Sequence, residues 1–252
     1  MHLVLTGATG LVGSAVLDAM IKTKDITRIS ILSRRPVKMA EDAKDPRINV
    51  IIHKDFEKYD SELISKLKGA SGVVWALGIS QALVTKEEYV KITKDYALAA
   101  AEAFQKIPND SSEPFRFVFV SGKGTTHNPG RFTSTFAHVK GETELLLAGM
   151  RKSNPLFQAD SVRPAFIDSK THEAIKPYIP KLSPAFNAFL FTTGPVMRNF
   201  NSIWSPTEQL GQFLTQMAMG KFDSKLTGPG IDKVGNFSVI ENSAIHRLME
   251  SP

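Results

Sequence analysis

The chain of 252 residues contains no cysteine, which excludes a disulfide framework, a thiol nucleophile and a thiolate metal site. This absence is typical of a cytoplasmic protein. Long apolar runs are also missing. The longest uncharged stretch, residues 182–197, contains two prolines and a glycine. A membrane span needs roughly 20 mostly apolar residues, so this stretch is predicted to be a loop or broken helix over a pocket.

Charge and histidine placement limit the ligands. Lys and Arg number 31 against 25 Asp and Glu, giving a net charge of +6 without any polybasic run. This balance favours an anionic small ligand over nucleic acid. The six histidines show no metal-ligand spacing, so we predict no metal site. The first apolar run begins almost at Met1, which leaves no room for a signal or transit peptide ahead of it.

Short apolar segments alternate with helical patterns along the first two thirds of the chain. This order predicts an α/β fold, a Rossmann-like doubly wound parallel sheet. After Arg163 the prolines multiply and a small irregular carboxyl-terminal lobe is predicted. The predicted strands are His2–Thr6, Ile26–Leu32, Ile48–Ile52, Gly72–Leu77, Phe115–Val120 and Leu156–Val162, and the predicted helices are Leu11–Thr23, Ser61–Leu67, Glu87–Gln105, Phe136–Lys152, Thr207–Met219 and Ile240–Met249.

A glycine-rich turn follows the first strand and opens the first helix. Its sequence is Thr6-Gly7-Ala8-Thr9-Gly10-Leu11-Val12-Gly13. In such a turn the first glycine permits the tight bend, the second lets the backbone approach a pyrophosphate, and the third lets helix and strand pack closely. The free N–H groups of the helix amino terminus bind phosphate. The motif in this context predicts dinucleotide binding.

The end of the second strand selects between dinucleotides. NAD-binding proteins usually place a carboxylate about 20 residues after the glycines, where it holds the ribose 2′-hydroxyl. Here that position reads Ser33-Arg34-Arg35. Because guanidinium groups suit a phosphate, NADP is predicted rather than NAD. We therefore divide the chain into an NADP-binding core, residues 1–167, and a substrate-binding portion of the same domain, residues 168–252.

The chain resembles short-chain dehydrogenases/reductases of the atypical or extended kind, and most closely the branch typified by the Tat-interacting protein. Segments that carry the resemblance run nearly from end to end. The resemblance implies a Rossmann-like fold that binds NADP(H). It also leaves the mitochondrial outer membrane surface open as a location beside the cytoplasm. These segments are 7–13, 33–35, 55–57, 76–78, 95–96, 121–124, 139–142, 163–165 and 241–246.

The resemblance further implies positions for the cofactor. Asp55 and Phe56 would flank the adenine. Ala76, Leu77 and Gly78 would line the path to the nicotinamide ribose. Beside the nicotinamide itself would lie Pro164, Ala165 and Phe166, where the family usually has glycine at the Ala165 position.

The family's chemistry requires a Ser, a Tyr and a Lys, with Tyr and Lys four residues apart on one helix face. Lys140 is in place, but the Tyr position is Phe136. Ser121 corresponds to the first serine of the family's pair, and the catalytic second serine is replaced by Gly122. Losing a positioned acid typically costs about 10²–10⁴ in rate. Lys140 is expected to bind the nicotinamide ribose and Ser121 stays a catalytic candidate.

Other protic groups follow the fifth strand, where loops face the cofactor. Lys123 and His127 are the first candidates for a substitute proton donor. Thr125 and Thr126 are more often turn formers, and His138 lies two residues from either catalytic position on its helix and points away.

Three functions stay open. The favoured one is an NADP(H)-dependent oxidoreductase with a non-standard proton donor, acting on a hydrophobic carbonyl, alcohol or enone. The second is a redox-silent isomerase or cyclase of a biosynthetic pathway, and the third is a nucleotide-sensing interaction protein. We expect a hydrophobic small-molecule substrate, no nucleic-acid partner and no transmembrane span, while a homodimer and peripheral membrane contact stay open. The substrate expectation depends on the aromatic residues Phe166, Tyr178, Phe186, Phe189, Phe191, Phe200 and Trp204.

Overall fold

A computed structural model describes residues 1–108, 113–180, 194, 197–198, 200 and 202–250. Its strands are β1 (His2–Thr6), β2 (Arg28–Ser33), β3 (Ile48–Ile52), β4 (Ala70–Trp75), β5 (Phe115–Val120), β6 (Phe157–Arg163), β7 (Phe166–Asp168), β8 (Trp204–Pro206), β9 (Ile231–Val234) and β10 (Phe237–Glu241). Its α-helices are α1 (Leu11–Lys22), α2 (Lys38–Ala43), α3 (Ser61–Lys66), α4 (Lys86–Val90), α5 (Tyr96–Phe104), α6 (Thr135–Ser153), α7 (Thr207–Ala218) and α8 (Asn242–Glu250).

Eight strands form one sheet in the order β3-β2-β1-β4-β5-β6-β10-β9. All neighbours are parallel except β9, which runs antiparallel to β10. The chain reverses its direction of sheet growth between β1 and β4, and ligands of doubly wound sheets bind at the carboxyl ends of the strands at such a switch point. The predicted fold class is confirmed.

Helices cover both faces of the sheet, because both faces of its central strands are apolar. Leu5, Val16 and Leu214 belong to the core on the side of α1, α7 and α8. On the other side, under α3, α5 and α6, aromatic rings dominate, and Trp75 stacks on Phe117 with ring centroids 5.8 Å apart. Because helices bury both faces of the sheet, the site lies at the carboxyl ends of its strands.

The carboxyl-terminal third differs in part from its prediction. Residues 231–241 form two strands that extend the main sheet, so helix α8 begins at Asn242 and not at Ile240. The long helix predicted over 87–105 is α4, a π-helical turn over Lys91–Asp95, and α5. Phe186, Phe189 and Phe191 lie outside the described residues. Within the described ranges every helix is too short or too polar to cross a bilayer.

Candidate functional site

A cleft of about 830 Å³ lies at the carboxyl ends of the central strands. It extends from the glycine turn in two directions, to the arginines after β2 and to helix α6. Most of the sequence-predicted cofactor residues line it together. These are Gly7, Thr9, Gly10, Leu11, Val12, Ser33, Arg34, Arg35, Phe56, Ala76, Leu77, Gly78 and Lys140, with Ser121 of the catalytic candidates.

The glycine turn is packed too tightly for side chains at two positions. Gly7 has φ +71°, and a Cβ there would lie 2.3 Å from the Ala76 carbonyl oxygen. A Cβ on Gly13 would lie 2.0 Å from the Gly7 carbonyl oxygen. Gly10 precedes α1 in extended conformation and leaves the helix amino terminus without a side-chain cap. The N–H groups there are free to bind an anion.

The arginine end of the cleft is shaped by Ser33. Its hydroxyl donates to the Arg35 carbonyl oxygen at 2.7 Å, and the Ser33 hydroxyl oxygen accepts from the Arg35 N–H at 3.3 Å. The Ser33 side chain therefore fixes the local turn. Both arginine side chains are exposed, and neither forms an ion pair with a described acidic residue. Their charge is available to a ligand.

Some predicted cofactor residues lie outside the cleft lining. Thr6 is buried, and its hydroxyl accepts from the Leu77 N–H at 3.3 Å. Asp55 is exposed and caps its own turn through the Glu57 N–H. Pro164, Ala165 and Phe166 are also absent from the lining, where Ile167 and Pro180 take part instead.

Phe136 and Gly122, the two positions at which the sequence resemblance predicts that a tyrosine and a serine are replaced, lie in contact. A Cβ on Gly122 would lie 2.8 Å from the Phe136 ring tip, Cζ, which is closer than atoms can approach. The ring therefore fits against the bare glycine backbone. Neither residue carries a proton for a substrate, and a serine at 122 would require the ring to move.

Lys140 is held at the inner end of the cleft. Its Nζ donates to the carbonyl oxygens of Val120 at 2.9 Å and Ser121 at 3.2 Å. It lies 5.3 Å from the Phe119 ring centroid and 5.7 Å from that of Phe136. Burial lowers the pKa of the ammonium to about 8, although the nearby Glu144 carboxylate opposes the shift.

His127 and Lys123 are not among the residues that line the cleft, and both have hydrogen-bond partners elsewhere. His127 Nε2 donates to the Glu144 carboxylate at 2.6 Å, and Arg163 donates to the same group at 2.5 Å. Burial would raise the pKa of Glu144, but the hydrogen bonds from His127 and Arg163 outweigh it and lower the pKa to about 2. Lys123 Nζ donates to the Ser202 carbonyl oxygen at 2.8 Å. His127 thus forms part of a buried ion network behind the cleft.

The remaining polar candidates are occupied within their own turns or exposed. Thr125 Oγ1 donates to the Gly122 carbonyl oxygen at 2.8 Å and lies 3.2 Å from the Ser121 hydroxyl. Thr126 Oγ1 accepts from the Asn128 N–H, and His138 is exposed.

Gln81 and Tyr89 are among the cleft-lining residues that the sequence analysis did not predict. Gln81 Oε1 accepts from the Phe136 N–H at 2.8 Å and so ties the loop after β4 to the start of α6. Tyr89 lines the cleft from α4, and its buried hydroxyl has no hydrogen-bond partner among the described residues. Both lie far from α6 in sequence, so no spacing rule could connect them to it.

The fold matches known structures of low sequence identity. A short-chain dehydrogenase/reductase of the glucose/ribitol dehydrogenase group from Brucella melitensis superposes with a TM-score of 0.68 at 16% identity, over 97% of this chain and 96% of that one. DesIV, a dTDP-glucose 4,6-dehydratase from Streptomyces venezuelae with NAD and DAU bound, gives a TM-score of 0.62 at 15% identity, over 86% and 72%. These likenesses show the short-chain dehydrogenase/reductase fold.

Curated relatives are more similar in sequence, although no family model matches the chain. Botcinic acid biosynthesis cluster B protein 16 of Botryotinia fuckeliana is 41% identical over 61% of this chain and 98% of its own length. Leucinostatins biosynthesis cluster protein T of Purpureocillium lilacinum is 33% identical over 87% of this chain and 85% of its own. The mitochondrial protein fmp52 of Emericella nidulans is 31% identical over 57% and 58%. The chain therefore has a short-chain dehydrogenase/reductase fold and belongs to the family of the botcinic acid and leucinostatins cluster proteins.

Proposed function

We propose that the protein is an NADP(H)-dependent oxidoreductase of a biosynthetic pathway, acting on a hydrophobic carbonyl, alcohol or enone. The supporting observation is one continuous cleft that joins two arginines that form no ion pair with a described acidic residue, a glycine turn at a helix amino terminus, and Lys140. A reductase needs these three features in this order along the nucleotide. The relatives named for biosynthesis clusters support the pathway context.

The residues present fit an NADP molecule. The close contacts of Gly7 and Gly13 leave bare backbone at the amino terminus of α1, where a pyrophosphate would bind. Arg34 and Arg35 would hold the 2′-phosphate, and Lys140 would contact the nicotinamide ribose. When bound, NADPH would supply a hydride to the substrate. The chain's own residues would orient both molecules and exclude water.

Several apolar side chains line the cleft and suit a hydrophobic substrate. Since few other polar groups lie near Lys140, we place the carbonyl end of a substrate at the Lys140 ammonium. The apolar part of the substrate would then extend along the apolar wall of the cleft. Location in the cytoplasm, membership in the Tat-interacting branch and a homodimer stay predictions; the relatives named fmp52 are described as mitochondrial. The apolar wall comprises Leu77, Ile79, Leu83, Phe136, Ile167 and Pro180.

Deuteride transfer tests the proposal. The protein is incubated with C4-deuterated NADPH of each stereochemistry and a panel of hydrophobic aldehydes, ketones and enones. We expect one stereoisomer to deliver deuterium to product, detected by mass spectrometry. Tight NADPH binding without any transfer would reject the oxidoreductase.

The Phe136–Gly122 contact favours a second function. It closes the position of the family's proton donor with packed carbon atoms. An isomerase or cyclase that uses the nucleotide only to shape its pocket would not need that donor. Conversion of a substrate with no change in NADPH absorbance would support this alternative.

The arginine pair is expected to determine nucleotide preference. Arg34→Ala with Arg35→Ala should weaken NADPH binding by about 10–100-fold, because each charge-assisted hydrogen bond contributes about 1.5–3 kcal/mol before solvent screening. NADH binding should change little. Isothermal titration of both nucleotides measures this, with the exposed Lys24→Ala as control. Equal losses for both nucleotides would contradict the assignment of the arginines to the 2′-phosphate.

Restoring the family's hydroxyls should require both changes. Phe136→Tyr alone should raise carbonyl reduction little, because the substrate oxygen still lacks a serine. Gly122→Ser alone crowds the ring. The double variant should exceed either single variant in NADPH oxidation, since such residues act as a unit. A double variant no better than Phe136→Tyr would show that position 122 does not contact the substrate.

A further inference from the structure

We propose that the Lys140 ammonium is itself the proton donor of this cleft, in place of the missing tyrosine. The inference rests on the proposed function and assigns the acid that it lacks. Lys140 lines the cleft one helical turn beyond Phe136, and its nitrogen lies 5.7 Å from that ring's centroid. The proton would therefore come from just behind the position of the family's tyrosine.

The hydrogen bonds of Lys140 leave one proton available. An ammonium carries three N–H donors. The carbonyl oxygens of Val120 and Ser121 accept from Nζ, and no other described residue does. These carbonyls fix the nitrogen without taking its last donor. In this proposal a substrate oxygen, and not a hydroxyl of the nicotinamide ribose, accepts that N–H.

The surroundings of Lys140 also tune its acidity. Desolvation disfavours the cation, while the faces of Phe119 and Phe136 and the two carbonyls stabilise it. The charged group that acts on it from α6 is Glu144, whose own charge is shared with His127 and Arg163. Tyr89 contributes a neutral hydroxyl to the cleft wall. A pKa of about 8 keeps Lys140 protonated at neutral pH yet acidic enough to donate.

The balance of the step is simple. With NADPH bound, the substrate carbonyl carbon would gain a hydride as NADPH is oxidised to NADP⁺, and the carbonyl oxygen would gain the Lys140 proton. The product is an alcohol, and the lysine amine regains a proton from water. For an enone, the hydride would add to the β-carbon and the Lys140 proton to the oxygen, and the resulting enol would tautomerise to the saturated ketone.

Two other hydroxyls in the cleft wall are less suited. Tyr89 is only 1% exposed, and burial raises the pKa of its hydroxyl. The Ser121 hydroxyl is buried beside Thr125. Lys140 is half-buried and lines the cleft, and it carries an N–H that no described residue accepts.

The first test measures the acidity of Lys140 without turnover. Trace acetylation of the protein with acetic anhydride over a pH series, read by peptide mass spectrometry, gives a labelling midpoint for each lysine. We expect Lys140 to label with a midpoint near its pKa of about 8. Lys66, whose pKa is raised by Glu62, should label only at clearly higher pH. Equal midpoints for the two lysines would overturn the proposal.

The second test compares variants in the deuteride assay. Lys140→Arg keeps a cation and its donors but cannot release a proton, so kcat should fall by about 10²–10⁴ while NADPH still binds. In the wild type kcat should fall above about pH 8, and Tyr89→Phe should keep that alkaline limb. Tyr59→Phe, which removes a buried hydroxyl away from the cleft, serves as control.

The outcomes separate the two claims. Turnover retained in Lys140→Arg, or an alkaline limb lost in Tyr89→Phe, would overturn the lysine as donor and leave the oxidoreductase standing. No deuterium transfer by the wild type would reject the proposed function itself, and the donor role with it, even if Lys140 labels near pH 8.

Discussion

Gly13→Ala is expected to lower the free energy of unfolding by at least about 3 kcal/mol and to abolish NADPH binding. The added Cβ would lie 2.0 Å from the Gly7 carbonyl oxygen and 2.8 Å from the Ala8 nitrogen. Both are backbone atoms, so the helix and the turn must separate. Since the same turn would hold the pyrophosphate, stability and binding should fail together. Urea denaturation and nucleotide titration measure the two effects.

Two matched alanine variants isolate the cause. A Cβ on Gly10 would meet only the Gly7 carbonyl oxygen, at 3.3 Å, so Gly10→Ala should fold and yet bind NADPH weakly, because it blocks the approach of the phosphates. Gly149 lies exposed in α6 with open space around it, and Gly149→Ala should stabilise the protein by about 0.5–1 kcal/mol. Normal NADPH binding by Gly10→Ala would contradict the proposed location of the pyrophosphate.

Glu144→Gln is expected to cost about 3–5 kcal/mol of stability. Glu144 is fully buried and accepts hydrogen bonds from Arg163, His127 and Ser161. A neutral amide leaves the Arg163 guanidinium buried with Glu241, at 2.9 Å, as its one remaining charged partner among the described residues. Chemical denaturation at neutral pH measures the loss.

This stabilisation should depend on pH in a defined direction. The folded-state pKa of Glu144, about 2, lies below the ordinary glutamate value of 4.5, because His127 and Arg163 donate hydrogen bonds to the carboxylate. The carboxylate therefore stabilises the fold fully above pH 4.5, and the contribution falls as the pH drops from there towards 2. The difference in stability between wild type and Glu144→Gln should shrink over that interval.

The same helix offers the control. Glu142 pairs with Lys94 at 3.0 Å in a partly exposed position, so Glu142→Gln should cost less than about 1 kcal/mol. Similar losses of stability in Glu144→Gln and Glu142→Gln would show that the buried network does not stabilise the fold as described. A loss of stability in Glu144→Gln that stays constant down to about pH 3 would show the same.

Much of the fold was predictable, because buried parallel strands are continuous apolar runs. The bounds of β1, β3 and β5 agree with the sequence prediction. β9 and β10 were missed because they are short, and their pairing is antiparallel at a sheet edge. The apolar residues Phe237, Val239 and Ile240 continue into a helical pattern, so the boundary at Asn242 is set by pairing with β6 and not by periodicity.

Only the parts of the candidate site that lie within one short segment of the chain could be predicted from the sequence. The glycine turn and Ser33–Arg35 are local motifs, and both line the cleft. Other parts of the site join segments that are distant in sequence. Gly122 contacts Phe136, and Gln81 accepts a hydrogen bond from the Phe136 N–H. The Glu144 network likewise assembles three elements. Spacing rules predict which residues are neighbours along one helix, but these contacts depend on tertiary packing.

Titration of the wild-type protein with NADPH and with NADH tests the central claim most directly. Calorimetry should give one NADPH per chain, bound at least about tenfold more tightly than NADH, which corresponds to about 1.4 kcal/mol. Failure to bind either nucleotide, or a preference for NADH, would contradict the account.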